Sequence, residues 1–203
     1  MDLPLVTVRM GLPASLVPQA AALYWQAFGS KLGHLLGPDQ RALTFLADVI
    51  RCDHCLAAID DQQNLLGIAG FKSVAGSFVS PSEADFRRHY GQIGGTIRAG
   101  ALRLLQSEVD NERFLVDGIC VDRPARNQGV GTELLHALIA EARWRGYAEV
   151  RLDVIDTNIR ARALYERMGF SALRSETMGL LRLVFGFNRA TTMVRDISRT
   201  ATR

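Results

Sequence analysis

The seven residues Arg126-Asn127-Gln128-Gly129-Val130-Gly131-Thr132 carry the most specific chemistry in the chain. A turn that holds a phosphate or pyrophosphate needs backbone N–H groups converging on one point, and residues small enough for the ligand to approach them. Gly129 and Gly131 meet the second need. The free N–H groups opening the helix that follows, with the positive end of its dipole, meet the first. Arg126 adds a fixed positive charge at the rim. Glycines in such a turn also serve tight packing of strand on helix. The context favours a ligand: a strand before, a long amphipathic helix after, and a matching strand-helix unit downstream.

Other candidate groups point to less. Cys52-Asp53-His54-Cys55 is a C-x-x-C. Zinc would want a second ligand pair at matching spacing, whereas His34, His89 and His136 are isolated. A redox pair would open a helix after a strand, but this one falls where a helix ends. No metal is expected. Cys120, inside an apolar strand, reads as a small core residue. Tyr24 and Phe28, four apart, pack into the core, while Trp25 points away from that stripe, toward substrate or a partner subunit.

These residues must be positioned by a scaffold, and the apolar periodicity outlines it. Val6, Val8 and Met10 alternate with polar residues as an opening strand. Ser15–Leu36 has helical spacing, but Gly29, Gly33 and Gly37-Pro38 divide it into two short helices; Pro38–Arg51 is a further helix. Leu56–Ile59 and Leu65–Phe71 flank a polar tract as a hairpin. Residues 73–113 are rich in glycine, serine and charge, with helical patches at Ser82–Tyr90 and Thr96–Val109. They read as an insertion or lid over a sheet, because too few bulky apolar residues are present for a separate core. Phe114–Val121 is a strand, and Gly131–Arg145 a helix with Leu134, Leu135, Leu138, Ile139 and Ala142 on one face. Glu149–Val154 alternates as a strand, Asn158–Met168 is a helix closed by Gly169, and Thr191–Ile197 is a last strand. The order implies a mixed α/β (α+β) sheet, mostly antiparallel, in one domain spanning residues 1–203.

The chain has 203 residues, 48% of them hydrophobic, 22% charged, with a net charge of +3. Nearly all the positive charge is arginine, the lysines being Lys31 and Lys72. The arginines are scattered, so no nucleic-acid arm is expected, only a mild pull on small anions. An odd count of 3 cysteines and no charged-apolar leader point to a cytoplasmic setting. No apolar run reaches the roughly 18–20 residues of a membrane helix, the one near Leu180–Phe187 being interrupted by Arg182 and Gly186. A homodimer is the default expectation from symmetry.

At this point the residues resemble the GCN5-related N-acetyltransferases. The family signature, Arg or Gln, two residues, Gly, one residue, Gly or Ala, matches Arg126 to Gly131, after the strand Asp117–Val121 and the loop Asp122–Ala125. Some thirty residues on, Asn158, Ala161 or Ala163, Leu164-Tyr165 and Gly169-Phe170 look like the second signature. The resemblance implies splayed central strands and acetyl-CoA as acyl donor. The N–H groups from Gln128 to Thr132, spanning Gly129, Val130 and Gly131, would hold the pyrophosphate, with Arg126 and Asn127 beside it. Ile119, Cys120 and Val121 would run along the pantetheine arm, with the Ile119 N–H aimed at the thioester oxygen. Asn158 would bond the pantetheine amides. Tyr165 would protonate the leaving thiolate, a phenol near pKa 10 being close to a thiol in acidity. Transfer would be direct, to a primary amine on a small molecule or peptide.

The base that deprotonates the ammonium is less marked. Asp117 is the first candidate, with the same side-chain parity as Ile119; its other reading is a charge satisfied at the sheet face. Asp153, Glu112 and His89 are alternatives. Lack of an unambiguous base leaves a second hypothesis, a non-catalytic acyl-CoA sensor or partner-recruiting module.

Overall fold

The computed structural model describes residues 6–103, 112–177 and 187–198. The elements run β1 (Thr7–Met10), α1 (Val17–Leu36), α2 (Asp39–Val49), β2 (Cys55–Ile59), β3 (Leu65–Ser73), β4 (Gly76–Ser77), α3 (Glu83–Tyr90), α4 (Gln92–Arg103), β5 (Phe114–Val121), α5 (Val130–Trp144), β6 (Glu149–Ile155), α6 (Ile159–Arg167), β7 (Ser171–Thr177) and β8 (Arg189–Asp196). The strands form a mixed sheet in the order β1-β2-β3-β5-β6-β8-β7, with β4 paired to β3 off this path. Every pairing is antiparallel except β5 with β6.

Both faces of the sheet are covered, so its central strands are apolar nearly throughout. On one face α5 and α6 bury Leu134, Leu135, Leu138 and Tyr165 against Phe71, Phe114, Val150 and Leu152. On the other, α1 and α2 bury Ala20, Leu23 and Leu46 against Ile68, Phe78 and Cys120. The apolar face read from the sequence of α5 is buried at all five expected positions. Its end at Gly146, φ +83°, uses a left-handed conformation that glycine adopts without strain.

Helix α1 differs from expectation: it is one helix of 20 residues, not two short ones. Its glycines cost about 1 kcal/mol each against alanine. Burial of Ala20, Ala21, Leu23 and Leu36 outweighs that cost. Gly29 has a packing use, since a Cβ there would lie 3.0 Å from the Trp25 ring. Trp25 therefore folds back over its own helix and joins the two α1-facing clusters, instead of projecting outward.

Strand β7 has no counterpart in the sequence reading. All seven of its residues are exposed, so no apolar alternation marks it, and pairing with β8 alone makes it a strand. The apolar run near Leu180–Phe187 and the C-terminal arginines 199 and 203 lie outside the described residues, apart from Phe187 itself.

Residues 73–103 fold as β4, α3 and α4, and share a core with α1 and α2 through Leu36, Ala42, Phe45, Val49, Phe86, Tyr90 and Ala99. A capping box at Ser82 and Asp85 starts α3. Tyr90 donates its hydroxyl to the Leu36 carbonyl at 2.7 Å and Arg98 Nε donates to the Leu35 carbonyl at 2.6 Å, tying these helices to the end of α1.

Candidate active site

The site begins with the register of β5. β3 and β5 pair from Gly67↔Val121 to Gly70↔Gly118, but Phe71 then pairs with Val116. Asp117 is the extra residue, a β-bulge. Beyond the bulge, the Asp122 N–H donates to the Leu66 carbonyl at 2.9 Å. Hydrogen-bonded and non-bonded pairs alternate in an antiparallel ladder, so Cys120 and Gly118 bond to β3, while Ile119 and Val121 turn their N–H and C=O groups the other way. The Val121 carbonyl accordingly accepts Arg126 Nε at 3.0 Å.

On that side β6 pairs with β5 only at Phe114↔Val150 and Leu115↔Arg151. The two strands then separate, leaving a cavity of about 110 Å³ lined by Phe28, Asp117, Ile119, Asp153, Asn158 and Tyr165 among others. The Ile119 N–H is directed into this gap. Gly118 keeps it open to Phe28, since a Cβ there would lie 2.9 Å from Phe28 Cζ.

The bulge also corrects the placement of Asp117. Val116 and Ile119, three apart, both pack toward the α5 face. Asp117 therefore does not share the parity of Ile119; it turns to the α1 face. There Lys72 Nζ lies 3.7 Å from its Oδ1, and the Val79 N–H donates to its Oδ2 at 3.4 Å. Burial pushes its carboxyl up from the usual range, with Lys72, the Val79 N–H and His54 opposing.

The glycine turn stands at one end of the gap. Asn127 has φ +64° and Gly129 φ +85°, and this alternation aims successive N–H groups inward. Among the described residues the N–H groups of Gln128, Gly129, Val130 and Gly131 have no backbone acceptor, while that of Thr132 already donates to the Gly129 carbonyl at 2.8 Å. Gln128 Nε2 donates to the Pro124 carbonyl at 2.8 Å, bracing the loop. The Val130 side chain is buried in the core below, leaving only its backbone at the turn. The Cys120 side chain is buried on the α1 face, so it borders the strand without lining the gap.

Helix α6 brings the other two groups. Asn158 caps it, its Oδ1 accepting the Ala161 N–H at 3.4 Å, which leaves the side-chain amide donors directed outward. Tyr165 is buried, and burial with Cys120 nearby pushes its phenol up to about 12. That widens its distance from a thiol near 8.5, so its hydroxyl is a hydrogen-bond donor first and a weak acid second.

Sequence reading passed over two residues. Tyr24, assigned to the core, does stack on Phe28 with centroids 4.6 Å apart. It also faces Asp117: burial first, then Asp117 and Cys120, push its phenol well up. Lys72 stands out in the sequence as one of two lysines, and its position near the end of an otherwise apolar strand is the signal that marks it. Of the weaker base candidates, Asp153 lines the gap and accepts Thr192 Oγ1 at 2.6 Å. His89 lies elsewhere, 2.8 Å from Asp48 on an open groove beside α2. Glu112 precedes the paired end of β5, away from the gap. Within the C-x-x-C, burial raises the Cys55 thiol to about 12, so it stays protonated, and His54 lies 3.0 Å from Ser73 Oγ. Among the described residues no group of three or more His, Cys, Asp or Glu could hold a metal.

Comparison with known proteins decides the family. The model of the acetyltransferase (GNAT) family matches residues 18–170, about three quarters of the chain. The chain belongs to the GNAT acetyltransferase family. GNAT proteins are acyltransferases, and this chain carries that fold. It is 32% identical over 79 residues to human N-acetyltransferase 8B, covering 39% of this chain and 34% of that protein. It is 24% identical over 121 residues to the Arabidopsis thaliana chloroplastic GCN5-related N-acetyltransferase 6, covering 60% and 42%. The match thus spans about a third to two fifths of those relatives' length. Among solved GNAT-type folds, an N-acetyltransferase from Staphylococcus aureus Mu50 superposes with a TM-score of 0.64 at 13% identity, over 93% of this chain and 100% of that one. The ribosomal-protein-S18-alanine N-acetyltransferase from Escherichia coli gives 0.54 at 18%, over 98% of each. Among the described residues no helix is long and apolar enough to cross a membrane.

Proposed function

We propose that this GNAT-family chain transfers an acetyl group from acetyl-CoA to a primary amine of a small molecule or peptide, by direct attack in a ternary complex in the cytoplasm. The observation that carries the reading is the outward-turned Ile119 N–H in a gap lined by Tyr165, with the glycine turn tied to the end of the same strand through Arg126 and the Val121 carbonyl. The four N–H groups from Gln128 to Gly131 suit a pyrophosphate, and at Gly131, where a Cβ would lie 3.3 Å from Leu164 Cδ2, α5 begins in close contact with α6. Arg126 is held at the rim by the Val121 carbonyl. The Asn158 amide donors suit the amides of a pantetheine arm laid along β5.

In this reading the chain's residues divide the chemistry. The Ile119 N–H faces the thioester oxygen as it gains negative charge, where removing such a donor typically costs about 10²–10³ in rate. Asp117 takes the proton from the acceptor ammonium, directly or through one water. Tyr165 donates a hydrogen bond to the departing sulfur. No enzyme nucleophile is needed, and the Cys120 side chain, buried on the α1 face, takes no part.

The test has two arms. Calorimetry with acetyl-CoA should give saturable binding that Gly131→Val weakens at least about tenfold; no binding would sink the donor assignment. Release of free coenzyme A, followed with a thiol reagent over a panel of small amines and amino-terminal peptides, should identify an acceptor. Tight binding with no turnover on any amine would instead favour the non-catalytic acyl-CoA-binding module.

A further inference from the structure

One ion pair on the α1 face is built with more structure than a surface contact needs. Asp117 is the bulged residue of β5, and its two oxygens are met by different elements: Lys72 Nζ from β3 at 3.7 Å, and the Val79 N–H from the segment after β4 at 3.4 Å. The side chains of Lys72 and Asp117 are only 16% and 14% exposed. The position of Val79 is itself set by packing. Gly70 has no Cβ, and one there would lie 2.7 Å from Phe78 Cβ, so Phe78 can close over β3. Ser77 Oγ then donates to the Val79 carbonyl at 2.9 Å, fixing the turn that presents the N–H.

The choice of cation is also informative. The chain has 24 basic side chains, and only Lys31 and Lys72 are lysines. An arginine beside Asp117 would grip both oxygens in a rigid fork and occupy the lone pairs a base must use. Lysine is a point charge, and at 3.7 Å it lies beyond ordinary hydrogen-bond length. It supplies positive potential while leaving Oδ1 able to accept a proton. The other groups facing Asp117 are Tyr24 from α1, beside which lies Cys120, and His54 from the turn before β2; Asp153 of β6 and Tyr165 of α6 line the same gap.

Building on the acyl-transfer reading above, we propose that Lys72 is a positioning residue for that reaction, holding Asp117 ionised at the edge of the β5–β6 gap so that it can accept the proton of the acceptor ammonium. The step balances. The ammonium loses one proton to the Asp117 carboxylate, the freed nitrogen lone pair bonds to the acyl carbon, and the carbon–sulfur bond breaks with its electrons on sulfur. The nitrogen then gives up its second proton, which passes to sulfur by way of the Tyr165 hydroxyl and leaves that hydroxyl as it began, and Asp117 returns its proton to solvent.

The scarcity of lysine supplies a wild-type test. Protein labelled with ¹³C at lysine Cε has two side-chain signals, and the one lost in Lys72→Met reports Lys72. Titrated from acid to neutral pH, the Lys72 signal should carry an inflection at the protonation of Asp117 that is abolished in Asp117→Asn. A Lys72 signal with no such inflection overturns the pairing without any need for a variant to be active. In ¹³C-aspartate-labelled protein the Asp117 midpoint should rise by about 1 unit or more in Lys72→Met and Lys72→Gln and not rise in Lys72→Arg. An unchanged midpoint in both neutral variants also overturns it. Coenzyme A release with the best amine should lose its acidic limb in Asp117→Asn, and the limb should move up in Lys72→Met. Full turnover with an intact limb in Asp117→Asn would remove the base assignment and with it the catalytic role of Lys72, while the two titrations separately report whether the ion pair exists.

Discussion

In the proposed reaction Tyr165 meets the departing sulfur from a buried position, and burial is what makes it a poorer acid. With its phenol at about 12 in the fold and 10 in the unfolded chain, the folded state binds the proton more tightly. The resulting stability is full below pH 10 and is lost as pH rises from 10 to 12, about 3 kcal/mol over that window. Denaturant unfolding at pH 9 and pH 11 should show about half of this loss in the wild type and a clearly smaller one in Tyr165→Phe; equal losses would mean that the hydroxyl is solvated. The same variant should lower coenzyme A release by about 10²-fold or more while changing acetyl-CoA affinity only a few-fold, since its bond to sulfur strengthens only as charge develops. A large loss of affinity with unchanged turnover would take Tyr165 out of the chemistry. Asp117 illustrates where sequence reading stops at this scale. Strand parity put it beside Ile119, but parity holds only in an unbroken ladder, and the bulge is created by β3 more than forty residues earlier.

Elements with a strong apolar period were legible: β5 is found at the expected residues, and α5 within one residue of the expected span. The failures share a physical cause, namely that the deciding interaction is not local. Helix α1 is continuous because its neighbours bury it despite its glycines, and β7 is a strand because β8 is beside it. Glycines at contacts between elements give the sharpest tests. A Cβ at Gly95 would lie 2.6 Å from the Phe86 carbonyl oxygen, where α4 crosses α3. Gly95→Ala should therefore cost about 1–3 kcal/mol, or roughly 2–10 °C in melting temperature, with little effect on acetyl-CoA binding. Gly118→Ala makes a contrast, because its clash is with the flexible end of the Phe28 ring. Its expected effect is a raised KM for the amine acceptor with a small change in melting temperature; an unchanged KM would place the acceptor away from Phe28.

Across the whole molecule, the sheet is two leaves joined at two register pairs, Phe114↔Val150 and Leu115↔Arg151. Such a seam leaves β5 like a comb with every second tooth engaged: among the described residues the Cys120 N–H faces β3 and is bonded, while the Ile119 N–H faces the gap with no backbone acceptor. Hydrogen exchange should therefore be out of phase along one strand, slow at Cys120 and fast at Ile119 in the free protein. A ligand whose arm lies along β5 should slow Ile119 and leave Cys120 unaffected, and uniform protection along the strand would rule out that alternation. The broader consequence concerns mechanics. A sheet parted down its middle transmits load poorly between its leaves until something bridges the seam, so the acyl donor, once bound, would serve as a missing stitch. The protein should then be stiffest when it holds the molecule it is about to react, and loosest when the product has to leave.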